Sequence, residues 1–205
     1  MIRFERLIFN FLFGFVIPAL CFLGCWGISF LFTRNEKIII IVSLSGLCLG
    51  LIIDFLIYYF FKPDIFKLSK PILIIIYLFY NTWLFGFFMG VPVFHLALGI
   101  IAGFYWMKRL IYQNEIKDYK REIYRTSLFT SIVIGVVCLF SAVIALLSES
   151  TPSDLQGMFH LSFKISMPLL VCFIIAGGLI LIIAQYYLTR ATMVAAIRSS
   201  KIDLT

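Results

Sequence analysis

Residues 38–61 read IIIIVSLSGLCLGLIIDFLIYYFF, and this stretch decides the fold. Its 24 residues carry one charged side chain, Asp54. A helix needs about 20 apolar residues to cross a hydrocarbon layer roughly 30 Å thick. A backbone in lipid has to satisfy its own hydrogen bonds, which excludes an open strand. The stretch therefore predicts a transmembrane helix.

Working outward, five more runs of the same character appear at 8–32, 71–89, 92–107, 127–147 and 165–188. The fourth run, 92–107, is the shortest and begins at Pro92. The expectation is an all-α, polytopic integral membrane helix bundle of six spans, forming a single transmembrane domain over 1–205. The opening MIRFER leads into an apolar stretch from Leu7 to Phe32. That is far longer than the about 7–15 residues of a signal-peptide core, so it reads as a retained helix.

Composition agrees. The chain is 62% hydrophobic and only 13% charged, against about 25% charged in soluble domains. The longest polar interval, 108–126, leaves no room for a separate soluble domain. The 32 Ile and 23 Phe against 10 Ala favour AT-rich codons, as in a low-GC genome or an acquired gene island.

The cations fix an expected orientation. With the N-terminus inside, the inner segments hold Arg3 and Arg6; Lys62, Lys67 and Lys70; Lys108, Arg109, Lys117, Lys120, Arg121 and Arg125; and Arg190, Arg198 and Lys201. The outer segments hold Arg34, Lys37 and Lys164, a split of fourteen to three. Lys and Arg concentrate on the cytoplasmic side of membrane proteins, so both termini are expected to be cytoplasmic. Tyr58-Tyr59, Tyr105-Trp106 and Tyr186-Tyr187 stand just before inner basic segments, as an interfacial aromatic belt does. The net charge of +7 is thereby explained by topology and by attraction to anionic lipid heads, with no direct nucleic-acid partner.

Small residues recur four apart at Gly46 and Gly50, Gly86 and Gly90, and Gly99 and Gly103. Such pairs let helix backbones approach in lipid, within one chain or along the seam of a homo-oligomer. Gly90 and Pro92 also supply a tight turn between the third and fourth spans.

The segment 108–126 reads as a basic amphipathic helical stretch on the cytoplasmic side. Tyr112, Ile116, Tyr119 and Ile123 make a narrow helical stripe. Asp118 with Arg121 and Glu122 with Arg125 are spaced for ion pairs. The stretch lies on the membrane surface, or else the flanking spans project inward around a turn near Asn114. Either arrangement offers Lys117, Lys120, Arg121 and Arg125 for docking a cytoplasmic protein partner or lipid.

Asp54 is the one Asp, Glu, Lys or Arg well inside a span, about eight residues from Lys62 and so roughly 12 Å deep. Carboxylates at such depth are costly and face the bundle interior or water. It is a candidate proton, cation or gating site, or a partner in an inter-helix hydrogen bond. Asn81 and Gln185 are the other intramembrane polar candidates, for helix–helix hydrogen bonding or for lining a pathway.

All five cysteines lie within apolar runs, which gives no disulfide framework. On the outer side His95, Glu149, Asp154 and His160 have metal-ligand chemistry but no recognisable spacing. No metalloprotease, nucleophile-elbow or phosphate-loop motif occurs. No cofactor is expected. The expected function is a non-catalytic membrane subunit in a bacterial inner membrane: an oligomeric sensor, anchor or pore that couples to a cytoplasmic partner. The membrane components of antiviral defence systems are of that broad kind. A small transporter or substrate-binding uptake subunit is the alternative, and an intramembrane enzyme the third.

Overall fold

The computed structural model describes residues 3–61, 64–88, 90–115, 118–158, 160 and 165–200. Among them are α1 (Arg3–Gly14), α2 (Val16–Phe32), α3 (Glu36–Phe61), α4 (Lys70–Phe87), α5 (His95–Gln113), α6 (Tyr119–Leu147), α7 (Thr151–Met158) and α8 (Met167–Ser199). Short 3₁₀ turns occupy Ile65–Lys67 and Pro92–Phe94, and no strand occurs among the described residues.

Five stretches have the length and apolarity to cross a membrane: Ile8–Phe32, Glu36–Phe60, Lys70–Phe87, Tyr119–Leu147 and Met167–Ser199. Their faces are bare hydrocarbon. Phe32 is 86% exposed and Leu139 67%, and similar side chains run along whole helices. Soluble proteins rarely leave apolar patches of that size in water; in lipid the arrangement costs nothing.

The fourth expected span, 92–107, becomes the 3₁₀ turn at Pro92 and then α5, and it falls outside this set. The physical reason is burial. His95, Gly99, Gly103, Tyr105, Met107, Lys108, Arg109 and Leu110 of α5 are buried. A helix shielded by protein can carry polar groups that a lipid-facing helix cannot.

The chain divides into two compact units, Met1–Ile72 and Leu73–Thr205. In the first, α2 and α3 form an antiparallel hairpin. The link is tied by Asn35, whose side chain accepts from the Lys37 amide at 3.1 Å. Glycines set the closeness of the pair. A Cβ on Gly50 would stand 2.5 Å from the Pro18 Cα, and one on Gly46 would stand 2.7 Å from the Cys21 carbonyl oxygen. Pro18 also ends the regular helix before it, because a proline cannot donate to the carbonyl four residues back. The chain accordingly breaks at Phe15 into α1 and α2. Phe9 of α1 packs edge-on against Phe66 with ring centroids 6.1 Å apart. Phe66 sits in the 3₁₀ turn after α3, where its amide donates to the Asp64 side chain at 3.2 Å.

The second unit is built on α5, α6 and α8. The turn between α4 and α5 uses Gly90 in the left-handed region (φ 81°), where a side chain would be strained. The Gly90 amide donates to the Phe85 carbonyl at 2.8 Å, and the Ser141 hydroxyl of α6 donates to the Gly90 carbonyl. Tyr77 of α4 packs on Phe129 of α6 with centroids 5.7 Å apart.

The segment 108–126 is not one helix. α5 continues to Gln113 and is closed by Asn114 in the left-handed region (φ 53°), with the Glu115 amide donating to the Leu110 carbonyl at 3.1 Å. Asp118 then caps α6, accepting from the Arg121 amide at 3.2 Å. The arrangement is therefore the turn near Asn114, not a surface helix. The stripe from Tyr112 to Ile123 is split over two helices, and its Ile116 lies outside the described residues. The expected ion pairs are replaced as well. Asp118 serves as an N-cap, a bond to an otherwise orphaned amide, and Glu122 accepts from the Trp106 indole at 3.3 Å.

Candidate functional site

Three polar features stand out, one in the first unit and two in the second. Asp54 is the first. Along the α2–α3 hairpin, Gly46 meets Cys21 and Cys25, Gly50 meets Pro18, and Asp54 meets Gly14, each step four residues along α3. Asp54 Oδ2 lies 2.8 Å from the point a Gly14 Cβ would occupy, with Oδ1 at 3.6 Å. The carboxyl thus fills the space left by a glycine at the break between α1 and α2. Neither Asn81 nor Gln185, the other intramembrane polar candidates, belongs to its unit.

The second feature is a pair of buried polar layers, in the second unit, along one face of α5, where His95, Gly99 and Gly103 recur every four residues. In the upper layer, His95 is 1% exposed and its Nε2 lies 3.0 Å from the backbone carbonyl of Asn81. A carbonyl only accepts, so Nε2 carries a proton. Asn81, also buried, donates its Nδ2 to the Tyr77 carbonyl at 2.8 Å. Asn81 Oδ1 and His95 Nδ1 are buried without a hydrogen-bond partner among the described residues.

In the lower layer, Gln185 donates its Nε2 to Thr189 Oγ1 at 2.9 Å, and Thr189 and Thr130 hydroxyls lie 3.0 Å apart. Thr189 also reaches the Gly99 carbonyl at 3.3 Å. Gln185 and Thr189 are fully buried, and Gln185 Oε1 has no partner among the described residues. Gly99 exists to admit this amide: a Cβ there would stand 1.4 Å from Gln185 Nε2. Gly103 likewise admits Thr189, whose Cγ2 lies 2.9 Å from its would-be Cβ. Thr130 and Thr189 escaped the sequence reading, although Ser127, Thr130 and Ser131 share a helical spacing and are all buried.

Gly86 and Gly90 are used differently from the other pairs. Gly90 is a turn residue, and nothing lies within 4 Å of a Gly86 Cβ.

The third feature is the polar end of the α5–α6–α8 bundle, also in the second unit. Met107, Ile123, Met193, Ala196 and Ile197 form a buried core there, with Trp106, Ile111 and Tyr119 packed around it. Two cations are absorbed into this core. Lys108 is 6% exposed and donates to the Ser200 hydroxyl at 3.1 Å, while Arg109 lies 5.0 Å over the Trp106 ring and 3.8 Å from the Glu115 carboxylate. Lys120, Arg121 and Arg125 of α6 remain exposed, as do Arg190 and Arg198 of α8. Lys117 lies outside the described residues. A shallow groove of about 370 Å³ runs along α8 between Tyr187, Arg190, Ala191, Val194, Ala195 and Arg198.

His95, Glu149, Asp154 and His160, expected on the outer side, are not gathered: His95 faces Asn81, and Asp154 accepts from the Ser150 hydroxyl at 2.8 Å. No group of three or more His, Cys, Asp or Glu with metal-holding geometry occurs among the described residues.

Five apolar helices of spanning length with bare hydrocarbon faces define a helical membrane protein. No family model, curated protein or solved structure matches the chain.

Proposed function

We propose that the protein is a non-catalytic, homo-oligomeric subunit of a bacterial inner membrane. On this reading it crosses the membrane six times, α5 included, with both termini in the cytoplasm. It senses or transmits an event in the bilayer and passes it to a soluble protein docked on its basic inner end, within a system of the antiviral defence type.

One observation carries the reading. The polar ends of α5, α6 and α8 have their own packed core, centred on Met107, Ile123 and Met193. α8 alone is 33 residues, about 50 Å of helix against a hydrocarbon layer of roughly 30 Å. A protein that needed only to stay in the membrane has no use for that extension. Its surface keeps Lys120, Arg121, Arg125, Arg190 and Arg198 exposed, which suits an acidic partner surface.

The test is a pull-down from membranes comparing wild type with the triple variant Lys120→Glu, Arg121→Glu, Arg125→Glu. Insertion is expected to survive, because the remaining inner cations keep the charge bias and exposed charges contribute at most about 1 kcal/mol each to folding. The variant is expected to lose the soluble proteins that wild type recovers. Recovery of the same set by both, or of none by either, refutes the docking surface.

A further inference from the structure

From Met167 to Ser199, α8 carries no acidic residue. Near its inner end Tyr187, Arg190, Ala191, Val194, Ala195 and Arg198 line the shallow groove of about 370 Å³. Their steps alternate between three residues and one, which keeps them on a single side of the helix. Both arginines and both alanines are exposed. Neither guanidinium makes a hydrogen bond, ion pair or ring contact among the described residues. Lys108 and Arg109 differ in this respect, being engaged by Ser200, Trp106 and Glu115.

Arg190 and Arg198 are eight residues apart, about 12 Å along the axis, and ask for an anionic occupant of matching length. Depth decides its kind. The apolar run of α8 ends at Leu188. On the proposed topology Arg190 therefore stands about 3 Å beyond the hydrocarbon, and Arg198 about 15 Å. The headgroup layer is only about 5–8 Å thick on each side, so a lipid phosphate that meets Arg190 falls short of Arg198. A second copy of the chain is poorly matched as well. Around its α5–α6 turn Glu115 meets Arg109, Asp118 caps α6 and Glu122 accepts from the Trp106 indole. The floor supplies the last restriction. Ala191 and Ala195 are four apart, a small-residue spacing that lets another helix approach closely.

We propose that the α8 groove seats one amphipathic helix of an acidic soluble partner. That helix lays its apolar side on Ala191 and Ala195 and pairs two carboxylates, seven or eight residues apart, with Arg190 and Arg198. The buried apolar stripe supplies affinity, as in other helix-in-groove complexes, and the paired charges fix the register. The proposal rests on the reading that a soluble protein docks at this end, and adds where it sits and what it presents.

The test uses the full chain in nanodiscs of neutral phosphatidylcholine. The probe is a fluorescent, lactam-stapled helix with an Ala/Leu face flanked by two Glu eight residues apart; its twin carries Gln at both positions. The Glu peptide is expected to bind saturably to wild type, not to empty nanodiscs, and about tenfold more tightly than its twin. Arg190→Gln and Arg198→Gln are each expected to weaken it about fivefold, the upper worth of one exposed ion pair. Ala191→Leu with Ala195→Leu fills the floor at exposed positions, leaves folding unchanged, and is expected to abolish binding. Equal binding of the two peptides, no binding of either, or indifference to the α8 variants overturns the proposal. So does native mass spectrometry in which wild type retains phosphatidylglycerol that the arginine variants lose, which would make this a lipid site. The docking reading itself is judged separately, by the pull-down with the α6 triple variant, so either can fail while the other stands.

Discussion

Replacing Thr189 by Val keeps the shape of the side chain and deletes one oxygen. That oxygen lies within 2.9 Å of Gln185 Nε2, 3.0 Å of Thr130 Oγ1 and 3.3 Å of the Gly99 carbonyl. The three losses are unequal. Thr130 retains its bond to the Ser127 carbonyl at 3.1 Å, and the Gly99 carbonyl sits within helix α5. Gln185 is stranded: it is fully buried, and its Oε1 already lacks a partner among the described residues. A buried polar group left unpaired costs about 1–3 kcal/mol, whereas side-chain hydrogen bonds between membrane helices average about 0.6 kcal/mol and reach roughly 1.7. The expected loss for Thr189→Val is therefore about 1.5 kcal/mol, roughly tenfold in the unfolding equilibrium. Gln185→Met removes the stranded amide, so the double variant should be less destabilised than the sum of the singles by about 1 kcal/mol. Reversible unfolding in mixed micelles, followed by tryptophan fluorescence, measures all four corners of the cycle. A Thr189→Val variant within about 0.3 kcal/mol of wild type, or strictly additive singles, would refute the claim that this layer ties α5, α6 and α8 together.

Gly50→Ala should destabilise the α2–α3 hairpin by about 1–3 kcal/mol, because its methyl group meets backbone at 2.5 Å; Gly86→Ala, with open space around it, should be neutral or slightly stabilising in the same unfolding assay. Asn114→Val forces a β-branched residue into a positive φ, at a cost of about 1–2 kcal/mol, and should speed proteolytic cleavage of the α5–α6 loop severalfold. Reporter fusions at residues 113–116 and at the C-terminus should read cytoplasmic, and one near Ser153 external; an external signal at 113–116 overturns the six-span topology.

The helices were readable because lipid imposes a length and an apolarity that leave a mark in the one-dimensional pattern. What lipid does not touch was harder to read. The sixth apolar run ends near Leu188, yet α8 goes on to Ser199, because Met193 and Ile197 bury against Met107 and Ile123 in place of lipid. Lys108 and Arg109 look in the sequence like the other inner cations, but their aromatic neighbours hold them in a core. Of the four-residue glycine spacings, Gly46–Gly50 and Gly99–Gly103 pack against helices, while Gly86–Gly90 shares the spacing only because a turn residue happens to follow. Asp54 was conspicuous as a lone carboxylate, but Gly14, against which it packs, has no side chain to mark the contact. Only the hairpin register brings the two together.

The burial of α5 also bears on how the chain is made. His95, Lys108 and Arg109 are covered by neighbours, and two of the helices that pack on α5, α6 and α8, are synthesised after it. While the ribosome is still producing them, α5 is a marginal segment, too polar to rest in lipid alone. On the proposed six-span topology, the turn at Gly90 lets it enter as the second arm of a pair with the more apolar α4. Its final position becomes stable only once Gln185 and Thr189 emerge to meet Gly99. Biogenesis therefore waits on the last helix: a nascent chain truncated before Met167 should leave α5 accessible to the quality-control proteases of the membrane.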